Sequence, residues 1–552
     1  MPAPPAQGSR SAEGEWTPAR SVAGNRNPWM VTSVIAISAF MEVLDTAIAN
    51  VSLDHIAGAT SSSYDQATWI LTSYLIANAI VIPMSGWLSD VFGRKRYYMT
   101  SVAIFTVASL CCGIAPSLNF LIVARIVQGV GGGGLQPVTQ AMLVDTFPPQ
   151  SRGKAMSVYG LTVILAPMIG PLLGGWITDQ FSWHWIFLIN VPVGVLSLTL
   201  VQMMVDEPPL IVQERRQRWQ RGVHFDLIGA ALIALALGSL EVMLDRGVED
   251  DWFASPIIRA AALAAGVCLV AFVLWELIER DPLLELRLFR YRTFATSNFI
   301  IMTTGVILFG TTQFIPQMMQ QVLNYTAEQA GLALTLGGIV TLVTMPLAGI
   351  LSGFVQPRIL VGCAFVVEAL AMWHMTHFAT TVTFEQIALA RMWQGAPIPF
   401  LFVPLFSAAY VGLPGTKTNN ASAMISVGRN LGGSIGISLV QALLARREQF
   451  HQARLVARLQ PLNPTYEHGI HALTRALIAR GAPPAAAAQM AVGVLYRIVQ
   501  RQADMMAFND VFWALMVFIV VTLPTIFVLK SSPLHHAPAR GKAPALTSHG
   551  SA

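Results

Sequence analysis

Fourteen apolar stretches, separated by short polar turns, dominate this chain. They lie near 30–53, 66–88, 97–115, 119–143, 155–177, 184–204, 226–245, 257–278, 294–316, 327–350, 359–379, 386–412, 420–445 and 509–530. A helix needs about 20 apolar residues to cross a bilayer, so each stretch is predicted to be a membrane-spanning helix. The fold class that follows is an all-α polytopic membrane protein. Composition agrees: 11% of the residues are charged, against roughly a quarter in a soluble domain. A chain of 552 residues would otherwise suggest roughly three or four soluble domains, but the polar linkers to separate them are scarce.

The basic residues set the orientation. With the N-terminus in the cytoplasm, Lys and Arg number 21 in the cytoplasmic segments and one, Arg246, in the short outer loops. Cytoplasmic loops of membrane proteins carry such an excess, so both termini are expected in the cytoplasm. Loop 446–508 holds eight more, but loops of that length largely escape the rule. The same topology accounts for the net charge of +5 without nucleic acid as a partner. Residues 1–29 are rich in Pro, Gly, Ser and Arg and lack the apolar core of a cleaved signal. They are expected to be a disordered cytoplasmic tail. Cys111, Cys112, Cys268 and Cys363 all fall inside apolar spans, which argues against a disulfide framework or a zinc site. No GxxxxGK[ST], HExxH or CxxC pattern occurs, so no ATP drive, metal or cofactor is expected. No nucleophile–base spacing marks an enzyme.

The chain repeats itself. ARIVQG at 124–129 returns as ARMWQG at 390–395, and GWLSDVFGR at 86–94 returns more weakly as GILSGFVQPR at 349–358. Similar offsets in the same order imply two homologous six-helix halves. The domains are then a tail (1–29), an N-terminal bundle (30–204) and a linker with two inserted helices (205–293). A C-terminal bundle (294–530, including the outer loop 446–508) and a second tail (531–552) follow. Two parallel halves with a site between them is a transporter plan.

Several motifs carry charge into lipid. SAFMEVLDTAIANVSL at 38–53 places Glu42 and Asp45 three positions apart, on one face of a helix. GWLSDVFGRKR at 86–96 joins spans two and three. Gly86 and Gly93 permit close approach and a tight turn, and Asp90, Arg94 and Lys95 could latch two helices when the cytoplasmic side is closed. Arg125, in RIVQGVGGGGLQP, lies several residues inside a span and needs a carboxylate or backbone carbonyls. APMIGPLLGGW at 166–176 holds Pro167, Gly170, Pro171, Gly174 and Gly175, a composition that lets a helix bend and pack tightly at a gate or hinge. Gln128, Glu241, Glu368, Arg391 and Arg429 are further candidates for a cavity or a buried ion pair. Arg391 repeats Arg125, and Arg429 is a counter-charge for Glu42 or for Glu368. Asp245 has Arg246 as a possible neighbour, and Glu276 and Glu279 are expected in solvent. Windows 468–480 and 486–505 of the outer loop are predicted to form short amphipathic helices.

Together these motifs resemble the major facilitator superfamily, specifically its fourteen-helix drug:proton antiporters, the DHA2 family of EmrB and QacA type. LDTAIANVSL is similar to the first-helix motif, GWLSDVFGRKR to the loop 2–3 motif, RIVQGVGGGG to the fourth-helix motif and GPLLGGW to the antiporter motif. WHWIFLINVPVG, SLEVMLDRGVEDDWF and PLLELRLF resemble the EmrB branch, as does the long outer loop before the last helix. Departures are His184 where the family usually has arginine, Asp54 in place of proline, and Ala166 in place of glycine.

The resemblance implies the superfamily's fold. It also implies a proton-driven multidrug efflux antiporter of the bacterial inner membrane, exporting amphipathic or hydrophobic toxic compounds. Its partners would be an EmrA-like periplasmic adaptor and a TolC-like outer-membrane channel, with loop 446–508 as the adaptor's docking surface. The alternative is a dedicated exporter of a natural compound such as a fatty acid or siderophore. Asp45 matches the family's membrane-embedded acid of proton coupling, and Arg125 the buried arginine that interacts with it. Asp90 and Arg94 match the latch, and Gly170, Pro171, Gly174 and Gly175 the antiporter signature. Glu42 lies outside the motif, as a second proton or cation site or as the partner of an interior arginine.

Overall fold

The structure is a computed structural model that describes residues 21–220, 222–457, 459 and 464–529. Among these residues the regular structure is entirely helical. The first half comprises α1 (Pro28–Val51), α2 (Leu53–Ala59), α3 (Tyr64–Phe92), α4 (Arg94–Gly113), α5 (Leu118–Gly132), α6 (Leu135–Thr146), α7 (Arg152–Gln180), α8 (Trp185–Leu188) and α9 (Asn190–Met204). A surface helix, α10 (Pro209–Gln220), leads to the inserted pair α11 (Leu227–Arg246) and α12 (Pro256–Ile278). The second half comprises α13 (Arg292–Gln321), α14 (Ala327–Leu351), α15 (Pro357–Met375), α16 (Phe384–Gly395), α17 (Ile398–Ala409), α18 (Thr418–Val456), α19 (Pro464–Ala479) and α20 (Pro484–Thr522).

Among the described residues twelve helical segments are long and apolar enough to cross a membrane. Three of them are divided into two α-helices, Trp185–Met204 at Ile189 among them, and the other two breaks repeat. Leu118–Thr146 divides into α5 and α6 at Gly133–Gly134, and Phe384–Ala409 divides into α16 and α17 at Ala396–Pro397. Glycine weakens a helix and proline lacks the N–H that would continue it, so two different residue types produce the same interruption. α4 and α18 complete the two bundles. They are less apolar because α4 opens on Arg94, Lys95 and Arg96, while α18 spends its buried face on small and polar residues. Those small residues let α18 pack backbone to backbone on α13: a Cβ on Gly436 would come 2.6 Å from the Val306 carbonyl. The expected fourteen spans are compatible with this arrangement.

Two boundaries differ from expectation. Residues 21–27 form a turn whose Val22 and Ala23 are buried, and Asp206 N–H donates to the Val22 carbonyl at 2.9 Å. The tail therefore becomes structured before residue 29; residues 1–20 and 530–552 lie outside the described ones. The outer loop is also mostly helix. α18 continues to Val456, α19 occupies the first expected window, and the second window is the opening half of α20 rather than a separate helix. Pro464, Pro483 and Pro484 mark helix starts, but no proline or exposed polar turn separates 485 from the last span.

The two halves meet from the end that carries the basic loops up to mid-bundle. A Cβ on Gly153 of α7 would lie 3.0 Å from Ser352 Cβ beyond α14, and one on Gly160 would lie 2.7 Å from Met345. Gln140 of α6 donates to Ser426 of α18 at 3.2 Å. Near the opposite end α7 packs instead on α1, where Thr178 and Ser52 hydroxyls are 3.0 Å apart.

Candidate functional site

Asp45 is fully buried on α1 and is gripped by three side chains from two other elements. Arg125 Nη1 of α5 donates to one carboxylate oxygen at 2.5 Å. Gln128 Nε2, one turn further along α5, donates to the other at 2.9 Å, and Asn190 Nδ2 of α9 donates to that same oxygen at 2.6 Å. Arg125 also reaches the Ile70 carbonyl at 3.2 Å and Gln128 Oε1 at 2.7 Å, while Gln128 donates to Ser109 Oγ of α4 at 2.7 Å. The guanidinium lies 4.2 Å from the Tyr74 ring centroid, a cation–π contact that partly replaces lost hydration. An isolated charge in this position would be very costly; a paired, multiply hydrogen-bonded one is tolerated. The expected pairing of Asp45 with Arg125 is therefore what the structure shows. Gln128 belongs to this cluster, and sequence reasoning missed Asn190, Ser109 and Tyr74.

Glu42 shares the helix face but joins a different network. Asn78 Nδ2 donates to it at 3.1 Å and Tyr74 Oη at 3.4 Å, and Gln136 of α6 donates to its second oxygen. The Gln136 carbonyl oxygen in turn accepts from Arg429 Nη2 of α18 in the other half. Arg429 Nη1 donates to Tyr159 Oη at 3.2 Å, and Tyr159 donates to Gln136 at 3.3 Å. Of the two partners open to Arg429, the structure selects Glu42, with one amide between them. Tyr74 touches both clusters, its hydroxyl on Glu42 and its ring under Arg125.

The basic-end motif divides its work. Gly93 has φ +93°, a conformation that side-chain-bearing residues rarely adopt, and this turn sends Arg94 inward. There Arg94 pairs with Asp145 of α6, both side chains almost fully buried. Asp90 faces the other half: Asn419 Nδ2 of α18 donates to it, and Arg218 of α10 lies 3.5 Å away. Gly86 permits this approach, because a Cβ there would sit 3.3 Å from the Asn419 carbonyl. Lys95 donates to the Gln202 carbonyl at 3.1 Å on an exposed surface.

The proline–glycine helix α7 links these levels. A Cβ on Gly170 would collide with Ala47 of α1, and one on Gly174 would lie 3.1 Å from Ile48. Gly175 faces open space. Pro167 and Met168 line a cavity of about 30 Å³ shared with Thr312, Gly338, Thr341 and Arg391 of the second half, and Pro171 lies one turn beyond within the same helix.

The remaining candidates scatter. Ser434 of α18 donates to Glu241 at 2.8 Å, and Thr72 of α3 donates to Asp245, so α11 bridges the two halves. Arg246 pairs with Glu249 and Asp250, each at 3.5 Å, and its charge also acts on Asp245, the expected neighbour. Glu276 is buried, not solvated, and accepts from Leu284 N–H at 3.4 Å, because the chain after Glu279 folds back over it. Glu368 is fully buried on α15, behind Arg391 and Gln394 of α16.

Residues 35–437 match the model of the Major Facilitator Superfamily. The chain is 36% identical to the multidrug export protein EmrB of Haemophilus influenzae, over 88% of this chain and 92% of that protein. It is 34% identical to EmrB of Escherichia coli strain K12 (91% and 95%) and 32% identical to the fatty acid resistance protein FarB of Neisseria gonorrhoeae (92% and 96%). Among solved structures, the proton:xylose symporter XylE bound to 6-bromo-6-deoxy-D-glucose shares the fold. Its TM-score is 0.59 and its identity 13%, over 91% of this chain and 96% of that one. The chain is thus a multi-pass membrane transporter of the Major Facilitator Superfamily, and within it a member of the DHA2 family on the EmrB branch.

Proposed function

We propose that this protein is a proton-driven multidrug exporter of the bacterial inner membrane, carrying amphipathic or hydrophobic toxic compounds outward. The buried Asp45–Arg125 pair is the observation that carries the reading. The Asp45 carboxylate balances the Arg125 charge and accepts from two amides; protonation removes its charge and loosens its hold on Arg125, while the remaining acceptor oxygen can still take an amide N–H. Asp45 stands two residues before Ala47, the contact point of Gly170. Releasing Asp45 therefore acts on α7, whose other end packs on α14 across the halves. Proton binding and the meeting of the halves share one helix, which is what antiport requires.

Glu42 faces Gln136 and Arg429 at the junction of the halves. It serves as the acid that a cationic substrate meets, displacing the Gln136–Arg429 link. The Asp90–Asn419 contact holds the basic end closed, the Arg94–Asp145 pair fixes α4 on α6 within the first half, and by the positive-inside rule that end, with both termini, is cytoplasmic. α19 and the outer halves of α18 and α20 project from the opposite face. They provide the docking surface for an EmrA-like adaptor leading to a TolC-like channel. Similarity to EmrB proteins at 34–36% identity supports export of drugs.

In inverted vesicles with an imposed pH gradient, wild type should accumulate a lipophilic cationic dye. Asp45→Asn should insert normally and accumulate none. Gradient-driven uptake by that variant at the wild-type rate would overturn the reading. A second reading, a dedicated fatty acid exporter, is favoured by the FarB similarity; competition of dye uptake by medium-chain fatty acids, with no other toxic compound competing, would support it.

A further inference from the structure

Glu368 has no exposed surface, and neither of its carboxylate oxygens makes a well-formed hydrogen bond. Gln394 Nε2, on the facing helix, also lacks a well-formed one, although this amide is near enough to act on Glu368. Buried polar groups are nearly always paired, so a loosely paired set of them calls for a reason. The first half supplies the comparison. There the Arg125–Gln128 hook of α5 grips Asp45. The repeat places Arg391 and Gln394 in the same spacing on α16. Arg391 donates to Gln394 Oε1, and its other nitrogen reaches Thr312 at 3.4 Å, on the helix that opens the second half as α1 opens the first. The second hook is assembled but its arginine closes on a hydroxyl, while the acid beside it is held only loosely, by the Gln394 amide.

Arg391 is the one charged group that acts on Glu368. Of the other elements packed on α15, neither α17 nor Leu523–Val528 contains an ionisable residue, and α20 has none between 511 and 522. Asn509 of α20 donates to the Phe378 carbonyl, so Asp510 stands about ten residues, roughly 15 Å of helix, above Glu368. Asp510 is already held by Arg447 and His451. An ionised Glu368 would thus have the Gln394 amide and the Arg391 charge nearby but no well-formed hydrogen bond in this state, and a poorly compensated buried carboxylate is costly. The 30 Å³ cavity lined by Arg391 and Thr312 lies between the halves and is large enough for a water molecule; Glu368 does not line it in this state, so water there meets the carboxyl only once the halves rearrange.

We propose that Glu368 is a second proton carrier: neutral while the basic end is closed, and ionised against Arg391 when the halves rearrange. The step is a proton transfer between the carboxylate and water, with nothing oxidised or reduced. The inference rests on the proton-driven reading above, and the experiment separates the two. Purified protein in proteoliposomes exports tetraphenylphosphonium while a trapped dye reports proton movement. Glu368→Gln should still export, with fewer protons moved per cation than wild type, and Asp45→Asn should move none. Wild-type stoichiometry in Glu368→Gln would overturn the second carrier and leave the parent reading intact; wild type that exports without moving protons would overturn both. Infrared spectroscopy keeps the proposal testable if Glu368→Gln does not fold. The wild-type protein should show a protonated-carboxyl band that survives Asp45→Asn and Glu42→Gln and shifts in Glu368→Asp. A spectrum unchanged in Glu368→Asp would refute it.

Discussion

Gln136→Leu tests the link between the halves. Gln136 accepts from Arg429 and donates to Glu42, so one side chain makes two hydrogen bonds to charged groups of opposite halves. Each such bond contributes about 1.5–3 kcal/mol. Only the Arg429 bond crosses the halves, since Glu42 and Gln136 lie in the same one, and Arg429 keeps Tyr159, which puts the loss at the lower end, about 1.5 kcal/mol. At about 1.4 kcal/mol per tenfold, the ratio of closed to parted halves falls roughly 10-fold. The assay is maleimide labelling of G153C after replacement of Cys111, Cys112, Cys268 and Cys363. Position 153 is buried against Ser352, so labelling reports opening of the basic end. The rate should rise roughly 10-fold in Gln136→Leu, the factor set by that loss. A folded variant that labels at the parental rate would show that the Glu42–Gln136–Arg429 chain does not hold the halves together.

Asp145→Asn should leave Arg94 buried without its carboxylate and cost about 3–5 kcal/mol, read as a lower melting temperature in detergent; replacing both residues by apolar ones should restore much of the loss. Gly170→Leu should lower the melting temperature through its collision with Ala47, overpacking typically costing about 1–3 kcal/mol, whereas Gly175→Leu, facing open space, should not. Burial, with the nearby charge of Asp504 as a second cause, pushes the half-buried Glu448 up to about 7. With its carboxyl raised in the folded state, the native protein holds more protons than the unfolded chain between the usual carboxylate range and about 7. Glu448 therefore makes stability fall as pH rises through that window. Glu448→Gln should flatten the decline in melting temperature between pH 5 and pH 8, a window chosen around a value of about 7; an unchanged slope would count against it.

What could be read in the sequence was what is costly in lipid. Asp45 and Arg125 had to be paired, and they are. The repeated ARIVQG and ARMWQG segments announced two halves, and they recur as two helices broken at matching places. Neutral amides and hydroxyls carry no comparable signal. Asn190, Gln136, Tyr74 and Tyr159 became visible only once the helices were packed, although Asn190 stands alone among apolar residues in FLINVPVG. Asp90 and Arg94 are legible as one motif, and the Arg94 charge does act on Asp90. What the sequence does not show is that the turn at Gly93 gives each a further partner, Asn419 of α18 for Asp90 and Asp145 for Arg94. The outer loop was misdivided because an amphipathic window and the apolar span after it run as one helix, with no breaker between them.

Substrate-triggered proton release from the purified protein in weakly buffered detergent tests proton coupling most directly. Adding tetraphenylphosphonium to wild type should release protons, and Asp45→Asn, still folded and still binding the cation, should lose the part of the release that Asp45 carries. Full wild-type release from Asp45→Asn would contradict the assignment of coupling to the Asp45–Arg125 pair.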